Sequence, residues 1–107
     1  MSEPTAWLSF DEAAAQLGMP VSKVKTLVRE GSLVAVQRRI PADFIRDGQI
    51  LKGLTGTLTL LHDSGYSPEE ALRWLFTADD TLPGTPVQAL AENRGTEVKR
   101  RAQALGF

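Results

Sequence analysis

The sequence has no cysteine and a single histidine, His62, among its 107 residues. Without cysteine the chain has no disulfide framework and no thiolate site for zinc or redox chemistry, and one histidine leaves little for an imidazole-based metal site. It also lacks a glycine-rich phosphate loop of the P-loop or dinucleotide type. No pair of carboxylates stands out for acid–base work, since Glu69-Glu70 and Asp79-Asp80 suit a helix start and a solvated loop. We therefore expect no metal, no cofactor and no enzymatic activity.

Long apolar runs are missing as well. No stretch approaches the roughly 20 residues that a membrane-spanning helix needs. The first residues also lack the basic-then-apolar layout of a secretory signal peptide. Apolar residues make up 42% of the sequence and aromatic residues only 7%, which predicts a thin core built mainly from Leu, Val and Ala. We expect a cytoplasmic protein that does not contact membranes, folded as one compact unit or as two small subdomains that share a core.

Neither sign of charge dominates the chain, whose formal net charge is −1, but the charges are distributed in blocks. Residues 20–52 hold seven cations and three carboxylates, and residues 94–107 hold four cations and one carboxylate. Residues 53–93 instead hold six carboxylates and one cation. Nucleic-acid binding requires a local basic surface rather than a basic protein. Residues 20–52 are therefore the first candidate, although blocks of this size also arise by chance in short chains.

Residues 9–31 have the pattern of two short amphipathic helices joined by a tight turn. Ser9-Phe10-Asp11-Glu12 has the pattern of a capping box, in which the side chains of Ser9 and Glu12 each accept a hydrogen bond from the backbone amide of the other residue. Gly18 predicts the end of the first helix, Pro20 the start of the second and Gly31 its end. Two such helices on a turn of about three residues are typical of a helix-turn-helix, whose second helix can lie in a DNA major groove.

The second helix is predicted to bury one apolar stripe and to expose a polar, cationic face. The apolar positions are Val21, Val24, Leu27 and Val28. The exposed positions are Ser22, Lys23, Lys25, Thr26 and Arg29. Cations neutralise phosphates, whereas hydroxyls bond to phosphates or to base edges. The three cations are therefore candidates for phosphate contacts and the two hydroxyls for base contacts, although an ordinary solvated helix face has the same composition.

Residues 33–41 predict a short β-hairpin, the wing of a winged helix-turn-helix. Leu33-Val34-Ala35-Val36 is the expected first strand, and Ile40-Pro41 follows a tight return at Gln37-Arg38-Arg39. That return lacks the Asn-Gly or Asp-Gly sequence expected of the tightest turns. We expect Arg38 and Arg39 at the tip, where they can hold the DNA backbone or enter the minor groove. A short helix over residues 41–45 closes the first predicted domain, residues 1–48.

The second predicted domain, residues 49–107, is expected to be helical. Residues 50–64 allow two interpretations, because Leu58 and Leu60 alternate with threonines as in a strand, whereas Leu51, Leu54, Leu58 and Leu61 have helical spacing. We favour the helix, since the apolar pattern is longer than a typical strand. Ser67-Pro68-Glu69-Glu70 is a second capping box. Further helices are expected at residues 87–91 and after Thr96, the last with Val98, Ala102 and Leu105 on its buried side.

Residues 7–45 resemble the winged helix-turn-helix of MerR-like and excisionase-like DNA-binding proteins. The similarity is carried by the patterns W-L-S-x-x-E-A-A-x-x-L-G and V-x-x-V-x-x-L-V-R-E-G-x-L. In the second half, L-K-G-L-x-G-T-L-x-L-L-x-D-x-G-Y-S-x-E-E-A-L-R-W-L-F is similar to the C-terminal domain of a small actinobacterial, mycobacterial-type regulator family. The resemblance covers nearly the whole chain. It implies a DNA-binding role and a mostly helical C-terminal domain packed on the winged domain, and it supports a helix in residues 50–64.

The leading hypothesis is a transcriptional regulator that binds double-stranded DNA, with the second helix in the major groove and the wing on the adjacent backbone. The alternative is a protein-interaction module in which residues 53–107 bind a partner protein. The acidic block favours that alternative, as does a faint similarity of residues 83–105 to the toxin-binding domain of Xre-type antitoxins. A third hypothesis is an excisionase-like protein that bends DNA. Because no long heptad repeat provides a coiled-coil arm, we expect a monomer or a weak homodimer.

Overall fold

The computed structural model describes residues 4–105, which form a mainly helical fold with two small antiparallel sheets. In chain order the elements are β1 (Trp7–Ser9), α1 (Phe10–Leu17), α2 (Val21–Glu30), β2 (Arg39–Pro41), a 3₁₀ turn (Ala42–Phe44), β3 (Ile45–Arg46), β4 (Gln49–Ile50), α3 (Leu54–Asp63), α4 (Pro68–Leu75), α5 (Pro86–Ala91) and α6 (Gly95–Ala104). The predicted predominance of helix is confirmed.

The helix pair α1–α2 begins and ends where local signals predicted. The Ser9 amide donates to Glu12 Oε1 over 2.8 Å, and the Glu12 amide donates to Ser9 Oγ over 3.1 Å, which completes the capping box. Gly18 and Gly31 end the two helices with φ of 66° and 85°, a left-handed conformation that glycine adopts without steric penalty. Pro20 stands at the N-cap of α2. Since each signal lies within a few residues of the end it sets, the turn between the helices could be predicted from the sequence.

The wing is built differently from the prediction. Residues 33–36 do not form a strand; Val36 makes a single bridge to Arg39, and β2 pairs with β1 instead, with Leu8 opposite Ile40. Leu33 is buried at 1% exposure and donates its amide to Leu27 O at the end of α2, so this segment fills the core rather than a sheet. Arg39 therefore lies in β2, opposite Ser9, and the prediction that it lies at the tip is wrong.

The tip of the wing is a two-residue turn at Gln37 and Arg38. The amides of Val36 and Arg39 each donate to the other residue's carbonyl, over 3.0 and 3.1 Å. Gln37 and Arg38 have φ of 53° and 63°, the sign that a type I′ turn requires at both central positions. Residues with a Cβ are disfavoured there by about 1–2 kcal/mol each. The turn therefore has Gln and Arg at positions where Asn and Gly would be more stable.

A second hairpin, β3–β4, was not predicted. Ile45 pairs with Ile50 and Arg46 with Gln49, around a turn in which Asp47 and Gly48 have φ of 53° and 77°. Asp-Gly between two short strands is a recognised hairpin signal, so this element could have been found in the sequence. The chain thus contains two turns of the same φ sign, one with the favoured residues and one without.

One hydrophobic core cluster includes buried side chains from both halves of the chain. Phe44, which follows the wing, packs against Phe76 at the end of α4 with ring centroids 6.0 Å apart. The Leu51 amide donates to the Phe44 carbonyl over 2.8 Å, and Arg46 Nη1 donates to the Ala91 carbonyl over 3.0 Å. These contacts fix the helices α3–α6 against the segment that carries the wing.

The helices of the second half follow the prediction with two corrections. The favoured helix over residues 50–64 is present but begins at Leu54, because β4 occupies residues 49–50. Thr96 does not cap the last helix, which already begins at Gly95 after Arg94 at the N-cap. Val98 and Ala102 of that helix are fully buried as predicted, whereas Leu105 is 36% exposed. Leu105 is the C-cap residue that follows the last turn of α6.

We predict that replacing Gln37-Arg38 by Asn-Gly stabilises the protein by about 1–2 kcal/mol, because both central residues then suit a type I′ turn. The free energy of unfolding measured by urea denaturation tests this. Asp47→Ala with Gly48→Ala provides the reverse comparison at the second hairpin, where destabilisation is expected. If the wing variant is no more stable than the original protein, Gln37 and Arg38 do not have the left-handed conformation described above.

The two capping carboxylates, Glu12 and Glu70, make the stability of the protein depend on pH in the acid range. Glu12 and Glu70 accept hydrogen bonds from the backbone amides of Ser9 and Ser67, and these bonds, followed by those of the serine side chains, lower the pKa of each carboxyl below its ordinary value of 4.5. A lowered folded-state pKa contributes stability that is present above pH 4.5 and lost as pH falls through the folded-state pKa.

The variant Glu12→Gln with Glu70→Gln should therefore lose less stability between pH 7 and pH 3 than the original protein, since an amide oxygen accepts the same bonds at every pH. Urea denaturation at the two pH values measures the difference. Glu69→Gln, which removes an exposed carboxylate from the same turn without touching a capping bond, is the control. Equal acid losses in the double variant and the original protein would disprove the capping contribution.

Candidate nucleic-acid interface

Helix α2 exposes the polar face that its sequence predicts. Val24 has no exposed surface and is the buried residue of the helix, whereas Val21, Leu27 and Val28 are half-buried. Successive helical residues are rotated by 100°. With Val24 in the core, four candidate residues share the outward side. These are Ser22, Lys25 and Arg29, which are exposed, and Thr26, which is half-buried.

Hydrogen bonds connect three of these residues along the helix. Thr26 Oγ1 donates to the Ser22 carbonyl over 3.0 Å, and Arg29 Nη2 donates to Thr26 Oγ1 over 3.5 Å. The Thr26 hydroxyl thus donates its hydrogen bond within the helix, and its oxygen can still accept a hydrogen bond from outside. The Arg29 guanidinium uses one of its five N–H donors here, so most of them are left for another acceptor.

The wing presents Arg38 at its tip and directs Arg39 along its side. Gln37 and Arg38 occupy the two central positions of the turn, and both side chains are exposed. The Arg39 guanidinium carbon lies 5.9 Å from the centroid of the Trp7 ring, within the range of a cation–π contact. Trp7 thereby orients Arg39 on β2, which the sequence interpretation did not anticipate.

Gln37 is a candidate that the sequence interpretation missed. The sequence places it in the return and indicates no role for it, yet it occupies the first central position of the turn. Side chains kept in a conformation that disfavours them are often found at functional sites. The short separation between Val36 and Ile40 is the sequence feature that could have placed Gln37 at the tip.

The five candidate cations of this surface are not neutralised within the part of the chain that is described. These are Lys23, Lys25, Arg29, Arg38 and Arg39, all of them exposed. Among residues 4–105 the one lysine or arginine within 4 Å of a carboxylate is Arg94, at 2.6 Å from Glu92; His62 Nδ1 lies 3.8 Å from Asp63 Oδ1. Charges without a carboxylate partner remain available to phosphates.

The described residues provide neither a metal site nor a membrane-spanning helix. Residues 4–105 contain no group of three or more His, Asp or Glu side chains placed to hold a metal ion. No helix among them has the length and apolar character needed to cross a membrane. His62 is on the surface, with 83% of its side chain exposed.

Comparison with known proteins yields two family matches and one relative that is available both as a sequence and as a solved structure. Residues 1–45 match the family described as "DNA-binding protein Rv2175c, wHTH domain", and residues 51–106 match "Rv2175c C-terminal domain of unknown function". The protein named "DNA-binding protein Rv2175c" from Mycobacterium tuberculosis (strain ATCC 25618 / H37Rv) is 44% identical over 122 residues. That alignment covers 98% of this chain and 82% of the relative.

The NMR structure of Rv2175c superposes on this fold with a TM-score of 0.85 at 42% identity, over 95% of this chain and 82% of the other. The predicted fold class, a mainly helical winged helix-turn-helix followed by further helices, is confirmed by this match and by the family assigned to residues 1–45. The mycobacterial-type winged helix-turn-helix family predicted from the sequence patterns is confirmed by the matches to both halves of the chain, whereas the resemblance to MerR-like and excisionase-like proteins stays a prediction. The chain belongs to the Rv2175c family of winged helix-turn-helix proteins.

Proposed function

We propose that this protein binds double-stranded DNA and acts as a transcriptional regulator, with α2 in the major groove and the wing on the adjacent backbone. The observation that carries this proposal is the set of five exposed cations on α2 and the wing, none paired with a carboxylate in the described residues. Family membership supports it, because the relative is named a DNA-binding protein. A cytoplasmic location would follow from this function.

In this proposal the cations of α2 hold phosphates and the hydroxyls of α2 contact bases. Lys23, Lys25 and Arg29 neutralise backbone charge, which positions the helix without reading sequence. Ser22 lies in the first turn of α2 and Thr26 one turn later. The N-terminal part of a recognition helix commonly contacts base edges, so these two hydroxyls are placed for direct readout.

The wing completes the proposed interface. Arg38 at the tip can enter the minor groove, and Gln37 beside it carries the donors and acceptors of an amide. Arg39, oriented on Trp7, is assigned to the backbone next to the groove. The unfavourable turn conformation of Gln37 and Arg38 supports this role, since two side chains are retained where Asn-Gly would be more stable.

We also propose separate roles for the two halves of the chain. Residues 1–48 are assigned to DNA binding, and residues 49–107 to a helical domain that supports it and could also take a protein partner through residues 53–107. The helices of the described residues are at most ten residues long, too short for a coiled-coil arm. We therefore propose a monomer or a weak homodimer.

Replacing Lys25 and Arg29 together by Ala should weaken DNA binding and flatten its salt dependence. Each phosphate contact contributes about 0.9 to the slope of log K against log salt, so the slope should fall by about 1.8. Fluorescence anisotropy with a labelled duplex, at several salt concentrations between 50 and 200 mM, measures both quantities. The matched control is Arg73→Ala with Arg100→Ala, which removes the same charge from exposed positions on α4 and α6.

An unchanged affinity and slope in the α2 variant would refute the assignment of α2. Equal losses in the variant and its control would show that only total charge matters. If the original protein binds no duplex, specific or random, while a stoichiometric protein partner is recovered with it from cell extract, the interaction-module hypothesis replaces DNA binding.

A further inference from the structure

Lys99 on α6 extends across the adjacent helix α3 at Gly56. A methyl group placed on Gly56 would lie 2.9 Å from Cε and 3.2 Å from Nζ of Lys99, so the end of the lysine occupies the space that a side chain at position 56 would need. Glycine is a poor residue for a helix interior, and Gly56 is the third residue of α3. Its presence therefore allows the Lys99 ammonium to lie directly on the helix backbone.

The position of Lys99 is determined by the packing of α6. Val98 and Ala102 have no exposed surface and fix the rotation of this helix against the core. Lys99 follows Val98 by 100° and is directed toward α3, whereas Arg100 follows by 200° and is directed away from the core. Lys99 has no carboxylate within 4 Å among residues 4–105, so its charge is not neutralised there.

Helix α3 in turn lies beside the C-terminal end of α2. Thr55 Oγ1, next to Gly56 in sequence, donates to the Ser32 carbonyl in the loop after α2 over 3.1 Å. A surface cavity of about 360 Å³ lies between the two helices, with Val28 and Arg29 on one wall and Thr59 and His62 on the other. The hydrogen bond of Thr55 therefore places Gly56, and with it the end of Lys99, near the C-terminal end of α2.

The dimensions of DNA indicate what such a surface meets. The major groove is about 12 Å wide, and a helix with its side chains is about 10–12 Å across. When α2 fills the groove, an element beside the end of α2 is close to the phosphate backbone that borders the groove. Helix α3 itself carries one carboxylate, Asp63, and no other charged side chain besides the histidine that precedes it, so a cation on this flank has to come from a neighbouring helix.

We propose that Lys99 contacts a backbone phosphate of the same duplex and that α3 and α6 extend the DNA-binding surface beyond the winged helix-turn-helix. This inference rests on the proposed function, because it requires α2 to lie in the groove. It gives the C-terminal helices a role in affinity without sequence readout, since a lysine on a phosphate contributes equally on every sequence.

The test compares Lys99→Ala with Arg100→Ala, which removes the same charge from the neighbouring position of the same helix. Lys99→Ala should lower the slope of log K against log salt by about 0.9. Raising the salt from 50 to 200 mM should therefore reduce the affinity of the original protein by a factor about 3 times larger than the factor for Lys99→Ala. The loss should be equal on the target duplex and on a scrambled duplex. Arg100→Ala should leave the slope unchanged.

Gly56→Ala separates the position of the ammonium from its charge. The added methyl group meets the flexible end of Lys99, so the lysine swings away while the helix remains and the net charge is constant. Binding should weaken with no loss of melting temperature, since Ala favours a helix more than Gly. Circular dichroism of all variants establishes that each is folded.

Equal slopes for the original protein and Lys99→Ala would overturn the inference, as would equal effects of Lys99→Ala and Arg100→Ala. Undiminished binding by folded Gly56→Ala would overturn the claim that the held position matters. These outcomes are distinct from failure of the proposed function, in which the original protein itself binds no duplex.

Discussion

Burial of Val24 determines which way α2 faces. It is the single residue of that helix without exposed surface, and burying a valine side chain contributes about 1.5–3 kcal/mol. Rotating α2 by one residue in either direction would expose Val24 and bring Lys23 or Lys25 against the core, where an unpaired charge is strongly unfavourable. Ala13 and Ala14 of α1, both buried in the same core cluster, are small enough for α2 to lie close. The cationic face is thus a consequence of packing behind it.

The conformation of the wing is not the one that its turn residues favour. Its turn is not the most stable that its backbone conformation allows, as the Asp47-Gly48 turn a few residues later demonstrates. Local sequence preference and backbone conformation agree at the ends of α1 and α2 and disagree at Gln37 and Arg38. Disagreements of this kind are expected where side chains serve binding rather than stability. The pairing of β1 with β2 keeps the turn in place, because Leu8 and the fully buried Ile40 fix the strand from behind.

The success of sequence interpretation depended on how far apart the interacting residues lie. Helix ends were predictable, since a capping box at Ser9 or Ser67 and a glycine at position 18 or 31 act within a single turn. Strand pairing was not, because the partner of β2 is β1, about thirty residues earlier, and residues 33–36 have the same apolar character whether they enter a sheet or the core. The α2 candidates followed from helical periodicity alone. The position of Lys99 could not be predicted, as it depends on a contact with Gly56 across forty-three residues.

The interface that we propose for DNA consists of α2 and the wing tip, with α3 and α6 beside them. Titration of the ¹⁵N-labelled protein with a duplex, followed by NMR of the backbone amides, tests it most directly. We expect the largest changes in chemical shift at residues 21–30 and 36–39, with smaller changes around Thr55, Gly56 and Lys99. Largest changes on α4 and α5, with α2 unaffected, would contradict it.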